Sequence, residues 1–536
     1  MIYNIDETSI RHQLFEIAQK IHSEGQQIKQ ISDLLQNADG EFIVIIYNKT
    51  SKDLCVFNDS LGRLPLFYYR NEGLLIISRE MKFMYPFIDP IVFDRLGIME
   101  YLLYGFELGE RTLIQGIARL PPASVIFNNR APLSLSIEQV LSFSFEPDKI
   151  NANRRTSQDD ILDLKTAFIC GLQNRVERLR SKTPLILLSG GLDSRATLAG
   201  LMVCGVHPRG ITYDASKDDT SEFEYTKKIA DLFEIPLIYL APVREADIDD
   251  YIRSVILFDG ALPMDIAHVV NLEEQISQRE GSDGVVFTGL FGGEMFRYLN
   301  LTSGLGSDDD LVQFLLTTPD KYHYDNEKVC AMLQISEEEM RQHLQNHISS
   351  YPEKDPYSKY CRFKFEKDYR LANPGEDKFR LLNWTVTPFY SKEFFETAYE
   401  IDEGKKGTLF FKNFLYALDP KTCSVDYYNT RMNLSSPIRL HLLEIAEKAV
   451  RHPRIRRLTW RVLDLKTRLA LPDEPDPQIE QLKTMALKLI ENGKYIKEYL
   501  FYGATREIIS SEADADKLQR ILTLIIYMGS IEQIIK

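Results

Sequence analysis

A strand, a glycine turn and a helix in immediate succession constrain this chain more than any other stretch. Leu185-Ile186-Leu187-Leu188, behind Pro184, read as a short buried strand, and the spacing of Ala196, Ala199, Leu201 and Met202 reads as the helix that follows. Between them stands Ser189-Gly190-Gly191-Leu192-Asp193-Ser194. The two glycines let a ligand approach the backbone with no Cβ in the way, Ser189 and Ser194 offer hydroxyls, and the first-turn amides are expected to point outward unpaired. Such a turn is an anion cradle at a helix N-terminus. It is not the Walker arrangement, because no Gly-Lys-Ser/Thr follows to reach the outer phosphates of a nucleotide.

The flanking sequence fits a cradle set in a parallel sheet. Upstream, Ile161, Leu164, Phe168, Leu172, Val176 and Leu179 recur at three- and four-residue steps on one helix. Downstream, residues 210–213, 237–240 and 285–288 read as strands, with an amphipathic helix over residues 221–233. Strands interleaved with helices predict a doubly wound parallel sheet, whose ligands sit beyond the strands' carboxyl ends. Before this region the texture differs. Residues 10–35 carry apolar residues at helical spacing, and short runs at 42–47, 54–57, 66–69 and 74–77 are separated by turn residues, which predicts antiparallel hairpins. A helix over 94–104 and a hairpin near 125–127 close that layer, and the polar residues 146–158 read as a linker. From Ser436 onward nearly everything reads as helix.

At the cradle the sequence resembles the ATP pyrophosphatase signature of the asparagine synthetase family, whose members break ATP to AMP and pyrophosphate. The resemblance implies that Ser189, Gly190, Gly191, Asp193 and Ser194 hold the pyrophosphate portion of ATP, and that Leu187 and Thr212, at strand ends, face adenine. It implies an α/β chain with a β-rich layer like a truncated glutaminase sandwich (residues 1–150, a degenerate glutamine-amidotransferase-like domain) and the ATP pyrophosphatase domain (151–435); past the resemblance, the helical pattern from Ser436 makes a third part, a helical C-terminal extension (436–536). Asp39-Gly40-Glu41-Phe42 and the run from Asn58 to Tyr68 are similar to the family's Gly-x-Phe strand and Asp-x-x-Gly-x-x-Pro-Leu-Tyr turn. Gly116 to Pro122 is similar to its Gly-Ile-x-x-Leu-Pro-Pro segment. Glutamine-using relatives expose a cysteine at position 2, where this chain has Ile2, so the amine is expected to come from free ammonia or from the substrate.

Further along, Val285 to Phe296 resembles the family's Ser-Gly-Glu-Gly-Ser-Asp-Glu-Leu-Phe segment, which brings Gly289 to the nucleotide. Leu290 replaces a polar residue of that segment, Gly293 stands at its metal-binding Asp, and Glu294 is the nearest carboxylate. Asp193 and Glu294 are therefore the expected ligands of Mg²⁺ on the phosphates, a role that needs only one or two protein carboxylates. Trp384, Val386 and Ser391 occupy positions where relatives carry charged residues. Attack on the α-phosphorus builds charge that a cation must balance. Arg431 falls at the family's catalytic lysine, which makes Arg431 and Glu294 the catalytic candidates. Lys406 and Lys412 are alternatives that also read as a solvated helix face, and Glu222 and Glu224 match an acidic position that touches substrate or lies in solvent.

Composition narrows the partners. A formal charge of −14 opposes nonspecific binding of nucleic acid, and a small-molecule or peptide carboxylate is the expected substrate. No apolar run is long enough for a bilayer, and the six cysteines lie far apart with no Cys-x-x-Cys pair, which together predict a cytoplasmic protein with reduced thiols. Arg451, Arg454, Arg456, Arg457, Arg461, Lys466 and Arg468 form a basic stretch that reads as a solvated face or a dock for an acidic partner; the N-terminal sheet is a second place for a partner protein. The expected activity is ATP-dependent amide formation through an acyl-adenylate, with asparagine formation and the intramolecular closure of lasso-peptide cyclases or β-lactam synthetases as the two forms. A non-catalytic ATP-binding or scaffold protein is the reading from another class.

Overall fold

The computed structural model describes residues 1–19, 24–130, 133–143, 145, 156–213, 221–240, 247–281, 283–296, 301, 304–318, 324–372, 377–428, 434, 436–456, 458–459, 477–512 and 515–535. Helices α1 (Glu7–Gln19) and α2 (Glu24–Asn37) come first. Strands β1 (Ile43–Tyr47), β2 (Leu54–Asn58), β3 (Phe67–Asn71) and β4 (Leu74–Ser78), helix α3 (Arg95–Tyr104), then β5 (Ile117–Arg119), β6 (Ser124–Arg130) and β7 (Leu133–Gln139) follow. The strands make two antiparallel sheets, ordered β1-β2-β6-β7 and β4-β3-β5. Because side chains alternate across a strand, each strand of the first sheet feeds two layers. Val56 and Ile126 meet Leu66, Tyr68 and Leu75 of the second sheet, whereas Cys55, Phe57, Val125 and Phe127 meet Ile17 of α1 and Ile31, Leu34 and Leu35 of α2.

The linker expectation is shortened at its far end. Thr156 caps α4 (Ser157–Arg178) in a capping box with Asp159, so Ser157 and Gln158 already belong to the helix, and residues 146–155 lie outside the described residues. Strands β8 (Thr183–Leu187), β9 (Arg209–Tyr213), β10 (Leu237–Leu240), β11 (Gly284–Phe287) and β12 (Trp384–Val386) form one parallel sheet in the order β10-β9-β8-β11-β12. From β8 the chain builds outward through α5 (Asp193–Val203), β9, α6 (Ser221–Leu232) and β10, then returns to β11 on the other side of β8. That reversal makes the gap between β8 and β11 the topological switch point, where such sheets hold ligands. Alternate residues again serve two faces. Ile186 and Phe287 pack with Leu164 and Phe168 of α4, while Leu185 and Val286 pack with Val269, Leu272 and Ile276 of helix Ala267–Glu280.

The C-terminal helices do not hang off the molecule. Leu482, Ile490, Ile521, Ile525 and Met528, from helices Pro477–Asn492 and Ala515–Ile535, share one apolar cluster with Ile98 and Leu102 of α3 and with Met332 and Leu344. The hydroxyls of Tyr85 and Tyr527 are bonded to each other inside it. All six cysteines are free thiols, and no helix among the described residues is long and apolar enough to cross a membrane.

Candidate functional site

The glycine turn sits where β8 hands over to α5, and the amides of Ser189, Gly190 and Gly191 each meet a side-chain oxygen. Ser189 N–H donates to Ser194 Oγ at 3.1 Å, Gly191 N–H to Ser189 Oγ at 3.2 Å, and Gly190 N–H to Glu222 Oε1 at 3.2 Å. The Ser189 and Ser194 hydroxyls are 3.0 Å apart. Backbone amides at a half-buried turn take up whatever oxygens are in reach, and here three side-chain oxygens serve. These partners are two hydroxyls and a carboxylate, all of which a phosphate oxygen can replace without changing the donor's geometry.

Against the turn stands the segment that follows β11. A Cβ on Gly289 would fall 2.9 Å from Asp193 Cβ, and one on Gly292 would fall 2.6 Å from Asp193 Oδ1, so the β11 turn approaches the start of α5 as closely as backbone allows. Thr197 Oγ1 donates to the Thr288 carbonyl at 3.0 Å and fixes that approach. Phe291 follows in a left-handed conformation at φ +71°, its ring stacked on Tyr390. Glu294 lies in the first turn of the short helix Gly292–Phe296, half-buried, and Gly292 of that helix stands against Asp193. Two carboxylates suit a divalent cation on a phosphate chain; among the described residues no cluster of three or more His, Cys, Asp or Glu side chains could hold a metal by protein ligands alone. Leu187 ends β8, and Thr212, buried in β9, pairs with Tyr239 of β10.

Three residues with no place in the sequence expectation close the turn from above. Arg195, fully buried, donates from Nη2 to the carbonyls of Gly190 at 3.2 Å and Asp426 at 3.1 Å, and from Nη1 to those of Thr422 at 2.9 Å and Val425 at 2.7 Å. Burial holds its guanidinium down at about 10. Tyr225 and Tyr428 meet edge to face at 5.6 Å over Gly190, where a Cβ would lie 2.8 Å from Tyr428 Cβ. The only signal for Arg195 was its position, a cation directly after Ser194 on the otherwise apolar inner face of α5.

Several expected residues fall elsewhere. Glu222 reaches the turn, but Glu224 is exposed. Arg431 lies outside the described residues, as do Arg457, Arg461, Lys466 and Arg468. The solvated-face reading fails for Lys406, which is buried and bonded to the Glu403 carboxylate, while Lys412 lies over the Tyr416 ring. It fails for Arg451 too, whose buried guanidinium caps the carbonyls of Glu403 and Lys406. Lys406 is neutralised by a neighbouring carboxylate, and Arg451 finishes the backbone of the 403–407 turn, so neither cation faces solvent.

The antiparallel layer is joined to the parallel sheet through buried charge. Asp39 accepts from Arg63 Nη1 at 2.8 Å, from Arg175 Nη1 of α4 at 2.6 Å and from the Lys392 amide at 2.9 Å. Burial would raise the Asp39 carboxyl, yet Arg175 and Arg63 outweigh it and hold it well below the usual range. Tyr3 donates to Glu41 and accepts from Trp384 Nε1 at 3.1 Å, so the N-terminal residues touch the edge strand β12 directly. Residues 21–137 match the family model of a glutamine amidotransferase domain. No curated protein matches the chain. The matched span covers α2 through most of β7, and an amidotransferase-type layer packed on a parallel α/β sheet is the architecture found in asparagine synthetase-like proteins.

Proposed function

We propose that this chain is an ATP-dependent ligase of the asparagine synthetase type, forming an amide with release of AMP and pyrophosphate. The observation that carries the reading is the Ser-Gly-Gly-x-Asp-Ser turn at the switch point between β8 and β11, on a sheet whose neighbour is an amidotransferase-type layer. In the first step a carboxylate oxygen attacks the α-phosphorus of ATP, and the bond to the departing pyrophosphate breaks. In the second an amine attacks the acyl carbon and AMP leaves. The amides and hydroxyls of Ser189, Gly190, Gly191 and Ser194 would bind the β- and γ-phosphates, and holding the carboxylate in line is what the surrounding residues contribute. Asp193 and Glu294 would hold Mg²⁺, which neutralises the charge growing on pyrophosphate. Arg431 remains the proposed partner of the α-phosphate. The amine is proposed to be ammonia or a group of the substrate itself.

The test is ATP–pyrophosphate exchange across aspartate, other small carboxylates and peptides bearing an acidic side chain, with ammonia and glutamine compared as nitrogen donors. Exchange that depends on one carboxylate class supports the ligase. Exchange stimulated only by a peptide selects the cyclase form, and tight ATP binding with no exchange under any carboxylate selects the non-catalytic reading.

A further inference from the structure

The carboxylate of Glu222 is the one charged partner among the three side-chain groups that engage the amides of the turn. Ser189 Oγ and Ser194 Oγ belong to the turn and move with it. Glu222 comes from a separate element, one residue into α6, and crosses the gap between β8 and β9 to reach Gly190 N–H at 3.2 Å. Its own helix holds it there. Thr226 Oγ1 donates to the Glu222 carbonyl at 3.0 Å, and Tyr225, one turn along on the same helix, packs against Gly190 beside Tyr428. Its charge also acts on Tyr213 at the end of β9, which places the carboxylate over the carboxyl ends of both strands.

A donor that a phosphate oxygen would use is thus already paired with an anion. A bare polyphosphate entering the turn must break that pair and then lie beside the carboxylate it displaced, two like charges at a few ångströms. We propose that Glu222 is a specificity-determining residue of the phosphate turn: an internal anion that competes for the Gly190 amide and raises the threshold for phosphate binding. The inference rests on the nucleotide reading given above. Glutamine at this position keeps the hydrogen bond to Gly190 through its amide oxygen and removes only the charge.

The test uses the full chain and inorganic pyrophosphate as the probe, titrated calorimetrically in EDTA so that no metal bridges the two anions. E222Q is expected to bind pyrophosphate at least tenfold more tightly than the native chain, with an unchanged melting temperature. E222A, which removes the carboxylate outright, is expected to show the same direction and guards against a local effect of glutamine. Equal or weaker binding by both variants, with binding by the native chain retained, overturns the competitor role and leaves the turn as a phosphate site. Absence of pyrophosphate binding in all three proteins, repeated with Mg²⁺ present, overturns the phosphate turn itself and this inference with it.

Discussion

The guanidinium of Arg195 donates to the carbonyl of Gly190, in the middle of the turn, and to three carbonyls of the 422–426 segment. One side chain therefore sets the distance between the proposed phosphate site and the chain that leads to Arg431. R195A would leave four carbonyls, two buried and two half-buried, without this donor. Each bond from a charged donor is worth about 1.5–3 kcal/mol, though the four are not additive, so a loss of ~3 kcal/mol of stability is expected by chemical denaturation. R195K keeps the charge but not the planar fork. It is expected to fold and to bind ATP at least tenfold more weakly, measured by equilibrium titration; ATP affinity equal to that of the native chain would sink the coupling.

Gly289 is the closest point between the start of α5 and the segment that follows β11. A methyl group there must push α5 away from β11, at an overpacking cost of about 1–3 kcal/mol. G289A is expected to lose ATP binding in larger proportion than stability, because the displaced atoms are those of Asp193 and Ser194. Circular dichroism melting beside ATP titration separates the two effects.

Asp39 ties the amidotransferase-type layer to α4 and to the Lys392 amide. Its carboxyl titrates below its unfolded value of about 3.9 because Arg175 and Arg63 outweigh burial, so its contribution is fully present above that value and is lost as pH falls below it. D39N leaves two buried guanidinium groups without their shared carboxylate and should cost about 3–5 kcal/mol at pH 7. Denaturation curves of the two proteins are expected to converge as the pH drops under 4.

Glu273 carries the opposite sign. Fully buried in helix Ala267–Glu280, with Asn383 as its polar neighbour, its carboxyl is pushed up to about 8 by burial. Its contribution is present below the unfolded value near 4.3 and is lost as pH rises through about 8. E273Q removes the ionisation, so its stability relative to the native chain should grow by about 1.4 kcal/mol per pH unit between pH 5 and 8. A pH-independent difference would contradict the assignment.

Much of this was legible in the residues. The short apolar runs separated by turn residues at β1 to β4 and the strand, glycine turn and helix around Ser189 identified both layers, because local pattern and tertiary role agree there. Lys406 and Arg451 misled for a physical reason: a cation in a polar stretch looks solvated unless its partners are known, and these are the Glu403 carboxylate for Lys406 and carbonyls of a turn distant in sequence for Arg451. Arg195 escaped assignment similarly, and for Glu222 both substrate contact and solvent stayed open. What each does depends on which main-chain atoms of another element arrive beside it. The left-handed Phe291 is the same case, since only the ring of Tyr390, 3.9 Å away and 6° from parallel, gives its conformation a partner.

The central claim is that the turn between β8 and α5 grips the phosphates of a nucleotide. Calorimetric titration of the full chain with Mg²⁺–ATP and, separately, with AMP addresses it directly. ATP is predicted to bind at least tenfold more tightly than AMP, since the two differ only in the phosphates the turn would hold; equal affinities, or no binding of ATP at all, would contradict the account.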